Sequence, residues 1–193
     1  MREVEHAYRA RGLASMFQVT SATKPEGLSE LLLACGYVGV TPSLVCVAGV
    51  DSVRARCAKV ADAQTLIQAN TGFDGLVISG SHSPADGEER LEILSRIALP
   101  HLRVTVAVQG TAVACGMGAL ADGRVGINLM RTHPNYRRRG YARHVLRAIA
   151  DWSDAQGASE MFLSVEEANT AARALYESAS FLRAYAYRYY RKD

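Results

Sequence analysis

The stretch from Leu102 to Thr132 constrains this chain more than any other. LRVTVAVQ (102–109) alternates apolar and polar residues, the period of a half-buried strand. Gly110-Thr111 reads as a hairpin turn, Ala112–Leu120 as the returning strand, and Asp122-Gly123 as a second two-residue turn. Arg124–Thr132 follows as a third strand, so the chain is committed to an antiparallel meander. HPNYRRRG then leads into a helix over Tyr141–Gln156, with Val145, Ile149 and Trp152 on one face. Gly157 caps it, and Met161–Val165 predicts a strand. Strand, helix and strand in that order make one parallel crossover in an otherwise antiparallel sheet.

Elsewhere the pattern is looser. Residues 1–11 predict a polar helix ending at Gly12, and Met16–Thr20 a short strand. Pro25 stands where a helix opens, with Leu28, Leu31, Leu32 and Cys35 following at helical spacing, and Ser43–Val50 is a buried-strand run. The alanine-rich stretch Val53–Asn70 predicts a helix closed by Thr71-Gly72. Residues 71–87 predict an irregular loop, and Glu88–Ala98 a helix stopped by Pro100. Asn169–Ala179 predicts a helix, and Leu182–Tyr190 a last strand with Tyr185, Tyr187 and Tyr189 on one face. The fold class is α/β (α+β), a mixed and mostly antiparallel sheet flanked by helices. There is also a weak internal repeat: residues 10–37 lie over 155–181 with one gap, placing Gly12 on Gly157 and Gly36-Tyr37 on Ser180-Phe181.

The 193 residues, 49% apolar and 21% charged, suit one soluble domain or one domain plus a fragment. Lys plus Arg less Asp plus Glu is 22 − 19 = +3, too mild to argue for nucleic acid as a partner. Cys35, Cys46, Cys57 and Cys115 show no metal-ligand spacing and sit among apolar neighbours, which predicts buried free thiols and no metal. The N-terminus has no apolar signal core, and nothing approaches the ~18 apolar residues of a membrane span. A cytoplasmic location without a membrane partner is expected.

The chemistry is concentrated in Leu129–Ala142, LMRTHPNYRRRGYA, where a strand end, a loop and a helix start follow one another. A helix N-terminus presents unpaired amides and partial positive charge, and Gly140 lets successive N–H groups curl around a phosphate oxygen. Between Asn128 and Ala150 there are six arginines, two histidines and no acid, a local field far stronger than the net charge. Alone, such a segment is a solvated basic helix start. It is followed at the end of the next strand by EEANTAARALYESASF, where Asn169 caps a helix and Ala172, Leu175, Tyr176 and Ala179 share a side. In a crossover unit, both strand ends open at the same edge of the sheet.

Together these residues resemble the GNAT superfamily of N-acetyltransferases. Its Arg/Gln-x-x-Gly-x-Gly/Ala signature is matched by Arg137, Gly140 and Ala142, and its Asn-x-x-Ala-x-x-x-Tyr by Asn169, Ala172 and Tyr176. Ser180-Phe181 stands where the family has Gly-Phe. The resemblance covers residues 43–193 as the acetyltransferase domain. Residues 1–42 look like a partial, degenerate second unit, as in tandem members; Leu32 falls where Tyr176 stands, so that unit is not expected to catalyse.

The resemblance implies acetyl-CoA as cosubstrate and an amine that attacks its thioester directly. Met130, Arg131 and Thr132 would form the edge that pairs with the pantetheine arm, the Met130 N–H polarising the thioester carbonyl. Arg137, Arg138, Arg139, Gly140, Tyr141 and Ala142 would hold the pyrophosphate, with Asn169 and Ala172 near the thioester. Tyr176 would protonate the departing thiolate, a role suited to a phenol of ordinary pKa about 10. The strand RVGINLMRT lacks the glutamate that many members use as base, which leaves Glu166, ahead of Glu167, as the expected one. A small-molecule or peptide amine would be drawn by Asp74, His82, Asp86, Glu88 and Glu89. Alternatives are a non-catalytic acyl-CoA-binding regulatory module, a protein N-terminal or lysine acetyltransferase, and, less favoured, nucleic-acid binding through the arginines. The tyrosine strand packs on the sheet or meets a homodimer partner.

Overall fold

In the computed structural model, which describes residues 1–68 and 72–193, the meander is built around two turns with left-handed backbone. Asp122 and Gly123 take φ of +49° and +72°, the conformation that matches strand twist in two-residue hairpins. Gln109 and Gly110 do the same at +48° and +78°, so this turn is centred one residue earlier than Gly110-Thr111. In chain order the elements are α1 (Arg2–Arg9), β1 (Ser15–Thr20), α2 (Leu28–Ala34), β2 (Val38–Gly49), α3 (Val50–Arg56), β3 (Gln64–Ile67), α4 (Phe73–Ser79) and α5 (Pro84–Ser95). There follow β4 (His101–Val108), β5 (Thr111–Ala121), β6 (Arg124–Thr132), α6 (Tyr141–Ala155), β7 (Glu160–Glu166), α7 (Thr170–Ser178) and β8 (Leu182–Lys192).

The strands form one sheet in the order β1-β8-β2-β7-β6-β5-β4-β3. β3, β4, β5 and β6 pair antiparallel in succession, as do β1 and β8, whereas β6 and β7 pair parallel across the α6 crossover. The chain divides into two compact units: Val47–Leu163 with Ala174–Leu182, and Met1–Cys46 with Ser164–Arg173 and Arg183–Asp193.

In the first of these units, alternation along β5 sorts the core. A Cβ on Gly118 would lie 2.8 Å from Ile149 of α6, so the bare backbone admits that helix against the sheet. The intervening Cys115 and Met117 face the other way, onto Phe73, Leu76 and Val77 of α4 and Leu94 of α5. Asp151 of α6 gathers Arg147 at 2.8 Å, Arg54 of α3 at 3.2 Å and Lys59 at 3.3 Å. Burial alone would raise its pKa, but these cations more than offset it and hold the carboxyl below its usual range.

Two expectations fail here. The helix over Val53–Asn70 is instead the short α3 followed by β3; Gln64–Ile67 pairs with Val104–Ala107, and alanine's helix preference is too small to resist a strand partner. Asn70 and Thr71 lie outside the described residues. The loop at 71–87 contains α4, whose apolar side is Phe73, Leu76 and Val77, and the start of α5, capped by Ser83 Oγ accepting from the Asp86 N–H. Glycines at 72, 75 and 80 disguise that helix.

The second unit carries β1, β8 and β2 over a core of Leu32, Tyr37 and Tyr190, with Phe17, Val19 and Leu28 packed against it. α2 begins at Leu28, so Pro25 lies in the preceding turn and not in the helix. The end of α2 matches the end of α7 bond for bond. Tyr37 N–H donates to Leu32 O and Phe181 N–H to Tyr176 O, each at 3.0 Å, while Gly36 and Ser180 take φ of +82° and +72°. Cys57 and Cys115 are buried free thiols, Cys35 is a half-buried one, and Cys46 is buried. No helix among the described residues is long and apolar enough to cross a membrane.

His144 is buried on α6. Its Nδ1 accepts from the Val60 N–H at 3.1 Å, which requires the neutral ring, and its Nε2 meets Thr65 Oγ1 at 2.7 Å. Burial first, and the Lys59 charge second, hold its pKa below 6.5. The unfolded chain therefore binds more protons than the folded one between that depressed value and 6.5. Stability should rise with pH through this window, and His144→Gln should flatten the rise in urea titrations at a series of pH values.

Candidate active site

The site is built on an irregularity in β6. Asn128 pairs with Met117, and Arg131 with Cys115, so β6 passes Leu129 and Met130 while β5 passes Gly116 alone. That is a β-bulge, with Leu129 at φ +54°. Gly116 makes it possible, since a Cβ there would collide with Met130 Sδ and lie 2.7 Å from Val145 Cγ1. Arg124–Ile127 pair in parallel with Glu160–Leu163 of β7, and β6 runs on to Thr132, where Asn128, Arg131 and Thr132 pair with β5. Two side chains hold carbonyls of the bulge: Cys115 Sγ donates to Leu129 O at 3.7 Å, and Arg131 Nη1 to Met130 O at 3.0 Å. Burial pushes the Cys115 thiol up to about 12, so it stays a donor at neutral pH.

After Thr132 the chain makes a short 3-10 turn, Pro134–Tyr136, which His133 caps by accepting from the Asn135 N–H. Arg137 Nε donates to Thr132 O at 3.4 Å, and the Arg139 guanidinium lies 5.4 Å from the centre of the Tyr136 ring. Arg138 and Gly140 are left-handed, at φ +62° and +86°. α6 then begins at Tyr141 with no side-chain cap and no acid in its first turn. Arg137–Gly140 are exposed, Tyr141 is buried and Ala142 half-buried. A 15-residue helix whose N-terminus has no side-chain cap among the described residues, preceded by exposed arginines, suits a phosphate.

Tyr176 lies on α7 in the same unit, 8% exposed, its ring edge-on to Phe181 at 5.9 Å. Arg143 of α6 donates through Nη2 to Ser178 O at 2.9 Å, tying the helix that follows the arginine loop to the end of the tyrosine helix. Glu166, Asn169 and Ala172 belong to the other unit. There Asn169 caps α7 as expected, Oδ1 accepting from the Ala172 N–H at 3.1 Å, and Glu166 and Glu167 are exposed. Asp86 is committed to its own helix: its carboxylate accepts from Arg90 Nε and the His82 N–H. The Arg90 hydrogen bond, against a smaller burial effect, holds it below the usual carboxylate range.

The profile of the acetyltransferase (GNAT) family matches residues 77–181, which span the α5–β6 segment, the arginine loop and Tyr176. The chain belongs to the GNAT family. It is 24% identical to the uncharacterized N-acetyltransferase YobR of Bacillus subtilis (strain 168) over 182 residues, 93% of this chain and 73% of that protein. Its fold matches a GCN5-related N-acetyltransferase from Sphaerobacter thermophilus with a TM-score of 0.75 at 18% identity, covering 95% of this chain and 62% of that one. A tandem GNAT protein from the clavulanic acid biosynthesis pathway matches at 0.72 and 9% identity, covering 97% and 66%.

The bulge, the Arg131 contact and the Arg143 tie were absent from the expectations. Gly116, a glycine inside an alternating strand, was the available signal for the first; nothing local announces the other two. Gly116→Ala should cost about 1–3 kcal/mol through overpacking. In urea unfolding the loss should be smaller in a Met130→Ala background, because Met130 is one of the groups displaced.

Proposed function

We propose that this GNAT acyltransferase moves an acetyl group from acetyl-CoA to a primary amine on a small molecule. One observation carries the reading: the β6 bulge comes just before an arginine-flanked helix N-terminus that has no side-chain cap. The Met130–Thr132 segment suits an extended pantetheine arm, and Arg137–Ala142 suit the pyrophosphate. When bound, acetyl-CoA supplies the acetyl group as a thioester. The Met130 N–H donates to the thioester oxygen as charge builds there. Glu166 receives the proton of the attacking amine, and Tyr176 gives its hydroxyl proton to the sulfur as the carbon–sulfur bond breaks. The chain's own contribution is positioning and proton management, which convert a bimolecular encounter into an oriented one.

The same reading takes residues 1–42 as the remnant of a second acetyltransferase unit, supported by the matched ends of α2 and α7. Leu32, fully buried where α7 has Tyr176, leaves that copy without a proton donor.

The test is calorimetric titration with acetyl-CoA, then thiol release across a panel of small primary amines and peptides. Binding with release on a small amine is the expected result; release on peptides alone would move the acceptor to protein, and no binding would overturn the reading. Tyr176→Phe should lower kcat by roughly 10²–10⁴-fold with little change in acetyl-CoA affinity, the range for a general acid. Arg137→Ala with Arg139→Ala should weaken CoA binding by about tenfold or more, with steeper loss at higher salt in the wild-type protein than in the variant.

A further inference from the structure

The Arg131 side chain does something no pantetheine contact needs. Its guanidinium folds back, and Nη1 donates at 3.0 Å to the carbonyl of Met130, the residue before it. Its Nε is buried without a hydrogen-bond partner among the described residues. Its stem lies in a seat made by Gly80, the residue that ends α4: a Cβ on Gly80 would stand 2.5 Å from Arg131 Cδ and 3.0 Å from Nε. A charged side chain brought to this place and left partly unsatisfied is costly, which calls for a return elsewhere.

The return lies in the bulge. Met130 stands where β6 carries one residue more than β5, so the ladder does not fix its peptide groups as it does in a regular strand. The Met130 carbonyl belongs to the peptide that ends in the Arg131 N–H, and its neighbour, ending in the Met130 N–H, is held through Leu129 O by Cys115 Sγ. A charge-assisted bond to one carbonyl is stronger than a thiol contact at 3.7 Å. It fixes the plane of one peptide directly and, through the shared Met130 Cα, limits rotation of the other. It also brings a permanent positive charge to the edge where negative charge develops.

We propose that Arg131 is a positioning residue, which locks the Met130 peptides so that the bulge amide is aimed at the thioester oxygen, with Gly80 as its seat. The inference rests on the acetyl-CoA reading above. It makes a small residue at the end of α4 part of the catalytic apparatus without contact to substrate.

The experiment is isotope-edited infrared spectroscopy of [1-13C]acetyl-CoA bound to wild type, Arg131→Met, Arg131→Lys and Gly80→Ala, with kcat, acetyl-CoA affinity and Tm measured on each. In wild type the bound carbonyl band should fall below its free position. Arg131→Met should return it toward the free value and lower kcat about 10- to 100-fold, less than the 10²–10³ that loss of an oxyanion donor costs, with acetyl-CoA affinity changed less than about threefold. Arg131→Lys should recover part of both effects, because the ammonium retains a donor. Gly80→Ala, which leaves the charge in the chain but displaces its stem, should move the band in the same direction as Arg131→Met. A bound band that ignores Arg131→Met and Gly80→Ala would overturn the proposal alone. So would losses that follow Tm and are not relieved by lysine. Failure of wild type to bind acetyl-CoA would overturn the acetyl-transfer reading and this proposal with it.

Discussion

The site depends on a mismatch of one residue between β6 and β5. A regular strand would commit its backbone groups evenly along its length. Here, beyond Ile127, the chain passes through a left-handed Leu129 and a bulged Met130 opposite Gly116. The strain of a branched side chain at positive φ is accepted because packing on both faces determines the path: Leu129 against the α4 core, Met130 against Gly116.

Electrostatics complete the arrangement. The arginine loop concentrates positive charge at a helix end whose amides already carry a partial positive charge, and no acid of the first turn cancels it. Arg137 and Arg139 are lightly held, by a carbonyl at 3.4 Å and an aromatic face, and such partners cost little to exchange for phosphate oxygens. By contrast, Arg54 and Arg147 are consumed by Asp151, so the same residue type is structural one face of the helix away. His144 is structural as well, its neutral ring joining α6 to Val60 and Thr65.

Much of this was legible in the sequence, for physical reasons that can be named. Asp122-Gly123 and the alternation around it define a hairpin through local backbone preference, and β6 occupies the expected residues Arg124–Thr132. Asn169 caps a helix because its short side chain reaches the Ala172 amide, again a local matter. Where local preference is weak the reading failed: Gln64–Ile67 becomes a strand only because β4 offers it an edge, and α4 hides behind three glycines. The bulge is intermediate, since Gly116 signals it but only the register with β5 reveals which residues it displaces. Arg131 folding onto Gly80 joins residues 51 apart in the chain and leaves no local trace.

The most direct test is amide hydrogen exchange at single-residue resolution, with and without acetyl-CoA. If the Met130–Thr132 segment of β6 and the start of α6 together hold the cosubstrate, protection should rise at whichever of the Met130–Thr132 amides β5 leaves unpaired and at Tyr141–Arg143. Exchange that is unchanged at both segments in a protein saturated with acetyl-CoA, or protection confined to β1, β2 and β8, would contradict the account.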